Sequence, residues 1–173
     1  MNQQDKINKL EELQDKFFCE IKKELKKDPF VQAMFKMYKM DLSVLDKIEM
    51  SFEDDMEVSA KTKGAKIFIN PELLKEGDSF DDHKHYLIHE LLHVLDILTN
   101  NIDEKENEKE DYLENQNELD AFQVQILYKL LHDGPKEVKR YVKQVLDHHN
   151  VPKHKKEEKE KDLMGEHVHK AVK

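Results

Sequence analysis

The sequence predicts an α+β domain that is mostly helical and carries one small three-stranded antiparallel sheet. Three observations predict it. Apolar residues recur at helical spacing over residues 5–27 and 112–132, and again from Val138 to Leu146. Between Ile48 and Ile69 the apolar period drops to two, broken by two turn signals. The 173 residues suit one domain around one core, and no internal repeat divides them.

The elements follow in chain order. The first helix carries Ile7, Leu10, Leu13, Phe17, Phe18, Ile21 and Leu25. Asp28-Pro29 ends it and starts a second helix. Proline disfavours helical backbone in the residue before it and suits the first turn of the helix that follows. The second helix carries Phe30, Val31, Met34, Phe35, Met37 and Tyr38, with the methionines reading as core filler. Ile48, Met50 and Phe52 then alternate, Glu53-Asp54-Asp55 reads as a turn, and Met56, Val58 and Ala60 alternate again. Thr62-Lys63-Gly64 is the second turn, and Ala65 to Ile69 is a strand stopped by Asn70-Pro71. The three strands read as a meander. Ser79 and Asp82 have capping-box spacing and open a long helix from about Phe80 to about Thr99. Asn100 to Asp111 is acidic and poor in apolar residues, a solvated loop. The helix over 112–132, with Leu119, Phe122, Ile126, Leu127 and Leu130, stops at Asp133-Gly134-Pro135. A last helix carries Val138, Tyr141, Val142, Val145 and Leu146. This places residues 1–150 in a single domain and leaves 151–173 as a charged, mobile tail.

Composition narrows the function classes. Charged residues make up 39% and the formal net charge is −9, which argues against a phosphate-backbone partner. Hence no nucleic acid is expected. A single cysteine, Cys19, excludes an intrachain disulfide and fits a reducing compartment; it reads as a small buried thiol. Residues Met1 to Lys6 carry no basic region followed by an apolar core, so no signal peptide is expected, and no apolar run approaches the roughly 20 residues of a spanning helix. A cytoplasmic protein without membrane contact is expected, of open oligomeric state.

One pentapeptide carries chemistry: His89-Glu90-Leu91-Leu92-His93. Two histidines four apart on a helix share one face, one turn apart, and can reach the same ion. Glu90 points beside that ion and can exchange a proton with bound water. With this His and Glu content the pattern arises by chance in roughly 7 of 100 such chains, so context must carry the reading. Leu87, Ile88, Val94 and Leu95 supply it. They make the helix buried on most sides, where unpartnered polar groups are costly and a metal gives them a partner.

A catalytic zinc keeps three protein ligands and one open position. The downstream helix offers Glu118, Asp120 and Glu114. Glu118 is preferred, because Ala121, Phe122 and Gln125 share its face and the small alanine admits the histidine helix. Asp96 lies three residues past His93 and takes a supporting place, since no glycine turns the chain back toward the ion. His85, four before His89, sits beside His83 and Lys84 in what reads as an exposed first turn. The tail histidines His148, His149, His154, His167 and His169 form a second, weaker locus.

With these residues the chain resembles the gluzincin group of zinc metallopeptidases, in particular their small single-domain members. The likeness spans about Ile67 to Leu131: the strand Ile67 to Pro71, the His89 to His93 helix, and Glu118-Leu119-Asp120-Ala121-Phe122. The resemblance implies a zincin-like fold with the small sheet packed on the active-site helix. It also implies one zinc ion on His89, His93 and Glu118, with Glu90 as general base of an endopeptidase. A peptide or protein substrate would pair along an edge strand at 65–70. Tyr86, Tyr112, Tyr128 and Tyr141 are all open for stabilising an oxyanion. The alternative is a non-catalytic zinc-binding regulatory or interaction protein.

Overall fold

In the computed structural model, which describes residues 2–74, 80–100 and 113–172, helix α1 runs Gln3–Lys27 and α2 runs Pro29–Met37. A complete capping box starts α1: Asn2 Oδ1 accepts from the Asp5 amide at 2.8 Å, and the Asp5 carboxylate accepts from the Asn2 amide. Asp28 serves both helices. Its amide donates to the Leu25 carbonyl, and its side chain accepts from Phe30 N at 2.8 Å with Pro29 in the first turn. Phe18, Ile21 and Leu25 form the buried stripe of α1. Cys19, one residue past Phe18, is turned off that stripe and is exposed, which corrects the expected buried thiol.

Three short strands follow a 3₁₀ turn at Leu42–Lys47: β1 (Glu49–Phe52), β2 (Ala60–Lys63) and β3 (Lys66–Ile69). The sheet is not the expected antiparallel meander. Its order is β1-β3-β2, with β3 antiparallel to β2 and parallel to β1. Ile67 and Ile69 are both buried, so β3 takes the central position, while the more polar β1 and β2 take the edges. The second strand also starts later than the alternation suggests. Asn70 Nδ2 donates to the Met56 and Val58 carbonyls, each at 3.2 Å, and holds that stretch as a loop. The turn then falls on Gly64-Ala65, with Gly64 at φ +61, where glycine is unstrained. Because β3 is paired on both sides, residues 65–70 offer no free edge for strand addition. The Phe17, Phe18 and Phe52 rings pack together, and Gln14 Oε1 accepts from Phe52 N, so α1 covers β1.

The chain divides into two compact units, Met1–Gly77 and Asp78–Lys173. The second unit holds α3 (Phe80–Asn100), α4 (Gln116–Asp133), α5 (Pro135–His148), α6 (Lys156–Met164) and α7 (Glu166–Val172). The sheet and α3 thus belong to different units. The Ser79 capping signal, the loop from residue 101 onward and Tyr112 lie outside the described residues. Gly134 stops α4 at φ +87, and Pro135 opens α5.

The expected mobile tail is helical instead. Leu163, Met164 and Val172 join Leu119, Phe122, Ile126, Val138, Val142 and Leu146 in one buried cluster. The Lys- and Glu-rich composition hid these few apolar residues, which fall on one side of α6 and α7. Lys159 reinforces the packing: its largely buried ammonium lies 2.6 Å from Glu114 and donates to the Leu113 carbonyl. No described helix is long and apolar enough to cross a membrane.

Leu163 is fully buried, so Leu163→Ala is expected to lower unfolding free energy by about 2–5 kcal/mol in a urea titration. A loss under about 0.5 kcal/mol, the range of solvated positions, would return the segment to a loose tail.

Candidate metal centre

Helix α3 is buried on almost every side. From Leu87 to Leu95 each residue is buried, including His89, Glu90 and His93. The polar groups inside it need partners, and α4 supplies them. Asn115 caps α4, with its side chain accepting from the Asn117 and Glu118 amides. That cap sets the first turn, where Glu118 stands. Ala121, one turn on, is fully buried and lets α4 come close to α3.

The Glu118 carboxylate lies between the two histidines. Its Oε2 is 3.0 Å from His89 Nε2, and its Oε1 is 3.0 Å from His93 Nε2. The second contact is not aligned as a hydrogen bond, so the buried His93 Nε2 has no hydrogen-bond partner among the described residues. The His89 and His93 rings stand 4.9 Å apart, and Phe122 closes the far side of His89 edge-on at 4.7 Å. One donor atom from each of His89, His93 and Glu118 lies within 4.8 Å of the others, and all three residues are buried. Tetrahedral donors about 2.0–2.1 Å from one ion stand about 3.3 Å apart, so this group can close on an ion with small side-chain shifts. Two imidazole nitrogens and a carboxylate oxygen in one buried group suit a divalent cation of intermediate softness.

Electrostatics supports the same reading. Burial alone would raise the Glu118 carboxyl, but the two histidines outweigh it and hold the group well below the usual carboxylate range. Burial alone would lower His93; Glu118, with the charges of Glu90 and Asp96, raises it instead. The carboxylate is therefore held in its charged form beside both imidazoles, within a group that could hold a metal ion. Glu90 acts on His93 from the same helix, and Asp96 does so from half-buried ground on the continuing helix.

The competing oxygen donors are elsewhere. Asp120 is exposed and accepts from Gln116 at 2.8 Å, and Glu114 pairs with Lys159. His85 is not in an exposed first turn. It is buried, with its ring 4.0 Å from Tyr86 and 5.3 Å from Tyr141, and its Nε2 has no hydrogen-bond partner among the described residues. Burial and the nearby Lys129 charge push it down to about 3, so it is neutral at pH 7. Among the described residues, none of the tail histidines joins a group of metal-donor side chains.

Gln125 has a role that its place on the Glu118 face left unread. Its Oε1 accepts from His89 Nδ1 at 2.8 Å, which fixes a proton on that nitrogen and turns Nε2 toward Glu118 Oε2. Asn115 was legible too, since an Asn three residues before a Glu has N-terminal cap spacing.

Elemental analysis of the purified chain is expected to find about one transition-metal ion per molecule, lost in both His89→Ala and Glu118→Ala. Gln125→Leu should keep the ion with affinity weakened about 10–100-fold, and Asp120→Ala should not change it. Metal retained in Glu118→Ala would move the oxygen donor off this residue. Comparison with known protein families, curated proteins and solved structures finds no match to this chain.

Proposed function

We propose that the chain is a zinc-dependent endopeptidase in which His89, His93 and Glu118 hold the ion and Glu90 is the general base. The observation that carries this reading is the convergence of the three donors with a buried Glu90 adjoining His89 on α3. Zinc on these donors supplies a Lewis acid and lowers the pKa of its water to near 7. Glu90 takes up the proton released as water adds to the amide carbon, then delivers it to the leaving nitrogen as the C–N bond breaks. His89 and His93 must stay neutral to serve as ligands, and Gln125 holds the proton of His89 on Nδ1 for that purpose. Glu118 contributes the negative charge that brings the cation into the pocket. The apolar residues Leu91 and Leu92 keep the helix between the histidines dry, so these charges act at low dielectric.

The pairing of a substrate with residues 65–70 is not part of this proposal, because β3 has no free edge.

Glu90→Gln is expected to keep full zinc content while hydrolysis of a fluorogenic peptide library falls about 10²–10⁴-fold. Chelation should abolish hydrolysis in the parent chain, and added zinc should restore it. Zinc without cleavage in the parent chain would leave a binding protein, and cleavage by Glu90→Gln at the parent rate would remove Glu90 from the chemistry.

A further inference from the structure

The partner of Gln125 has consequences for the metal. Gln125 lies in the interior of the second unit, only 1% exposed, with both ends of its amide engaged. One end, Oε1, faces His89 Nδ1; the other, Nε2, donates to the Tyr141 hydroxyl oxygen on α5. A glutamine amide is nearly symmetric in shape but opposite in chemistry at its two ends. With oxygen toward His89, Nδ1 keeps a proton, so the neutral imidazole presents its Nε2 lone pair once an ion takes the place of the proton that Glu118 accepts. With the amide reversed, its NH₂ would donate to a bare Nδ1. The imidazole proton would move to Nε2, onto Glu118 Oε2 at 3.0 Å, where it takes the place of the cation. The orientation of one amide therefore decides whether His89 is a ligand.

Resting on the metal reading of His89, His93 and Glu118, we infer that Tyr141 is a positioning residue that sets this orientation through Gln125. Its ring is fixed on two sides. His85 packs edge-on against it at 5.3 Å and 81°, and the Lys129 ammonium lies 4.9 Å over its face. The helix that carries it is anchored by Val138, Val142, Val145 and Leu146 in the main buried cluster. The hydroxyl oxygen is thus held where the amide NH₂ needs an acceptor. A phenylalanine in its place leaves a buried N–H unpaired and removes what keeps the amide from turning. Its hydroxyl reaches the site through Gln125, whose other end faces His89.

This reading separates cleanly from a general packing role, because glutamate at position 125 presents an acceptor at both ends. Its carboxylate accepts from His89 Nδ1 however it is turned, and the Tyr141 hydroxyl then no longer matters. Zinc affinity is measured by competition with a chromophoric chelator on the full chain, for the parent, Tyr141→Phe, Gln125→Glu and the double variant. Tyr141→Phe is expected to weaken zinc about tenfold. Gln125→Glu and Gln125→Glu/Tyr141→Phe should agree within about twofold, the range in which uncoupled changes add. Unchanged affinity in Tyr141→Phe overturns the inference. So does a loss of the same size in the Gln125→Glu background, which would mean that Tyr141 acts on packing and not on the amide. A parent chain that binds no zinc overturns the metal reading itself, and a chain that binds zinc but cleaves nothing leaves this inference standing.

Discussion

Glu118 brings a carboxylate into a place largely shielded from solvent, and the second unit is arranged around keeping it there. Desolvation by itself would drive such a group to its neutral form. His89 and His93, one turn apart on the facing helix, hold it ionised instead. Three constraints follow. Helix α3 must present both imidazoles on one face, and α4 must deliver Glu118 level with the gap between them. The two helices must also approach without a large side chain intervening. The i, i+4 spacing meets the first, the Asn115 cap the second, and the buried Ala121 the third. A buried ion pair built this way is expensive to break from one side, since the remaining partner is left charged and dry.

The other helices of that unit serve as backing. Helices α5 and α6 pack on α4, and α7 packs on α5 and α6, with Leu119, Ile126, Val142, Leu146 and Leu163 in one buried cluster. Lys159 on α6 ties down the segment that leads into the Asn115 cap, through Glu114 and the Leu113 carbonyl. Metal binding at such a site is linked to folding, because an ion that meets the donors only in the folded chain stabilises that state.

The first unit shows how local signals can be right in kind and wrong in arrangement. The double duty of Asp28 and the stop at Asn70 are local events, decided by proline chemistry and by short polar side chains that bond their own backbone. Strand order is not local. Which of three short strands takes the centre depends on which can be buried on both edges and still satisfy its backbone. Ile67 and Ile69 decide that for β3. The exposed Ile7, Leu10 and Leu13 make a related point, since helical periodicity marks a face and does not say what covers it.

For the site, the spacing of His89 and His93, the position of Glu90 and the preference for Glu118 could be read from residues alone, because each is a matter of helical geometry over one or two turns. The mostly helical class, the helix boundaries at Asp28 and Gly134 and the strand stop at Asn70 were legible for the same reason. Beyond the reach of sequence lay the parallel pairing of β1 with β3, the two-unit division, the packing of α6 and α7, and the burial of His85. So too did the contacts of Gln125 with His89 and Tyr141. Each of these depends on residues far apart in the chain meeting in space. The line from Tyr141 to His89 crosses from α5 through α4 to α3, and no spacing along one helix encodes it. Periodicity assigns a residue to a face; only the packing of one face on another decides what that residue touches, and here that packing joins Tyr141 to His89 through Gln125.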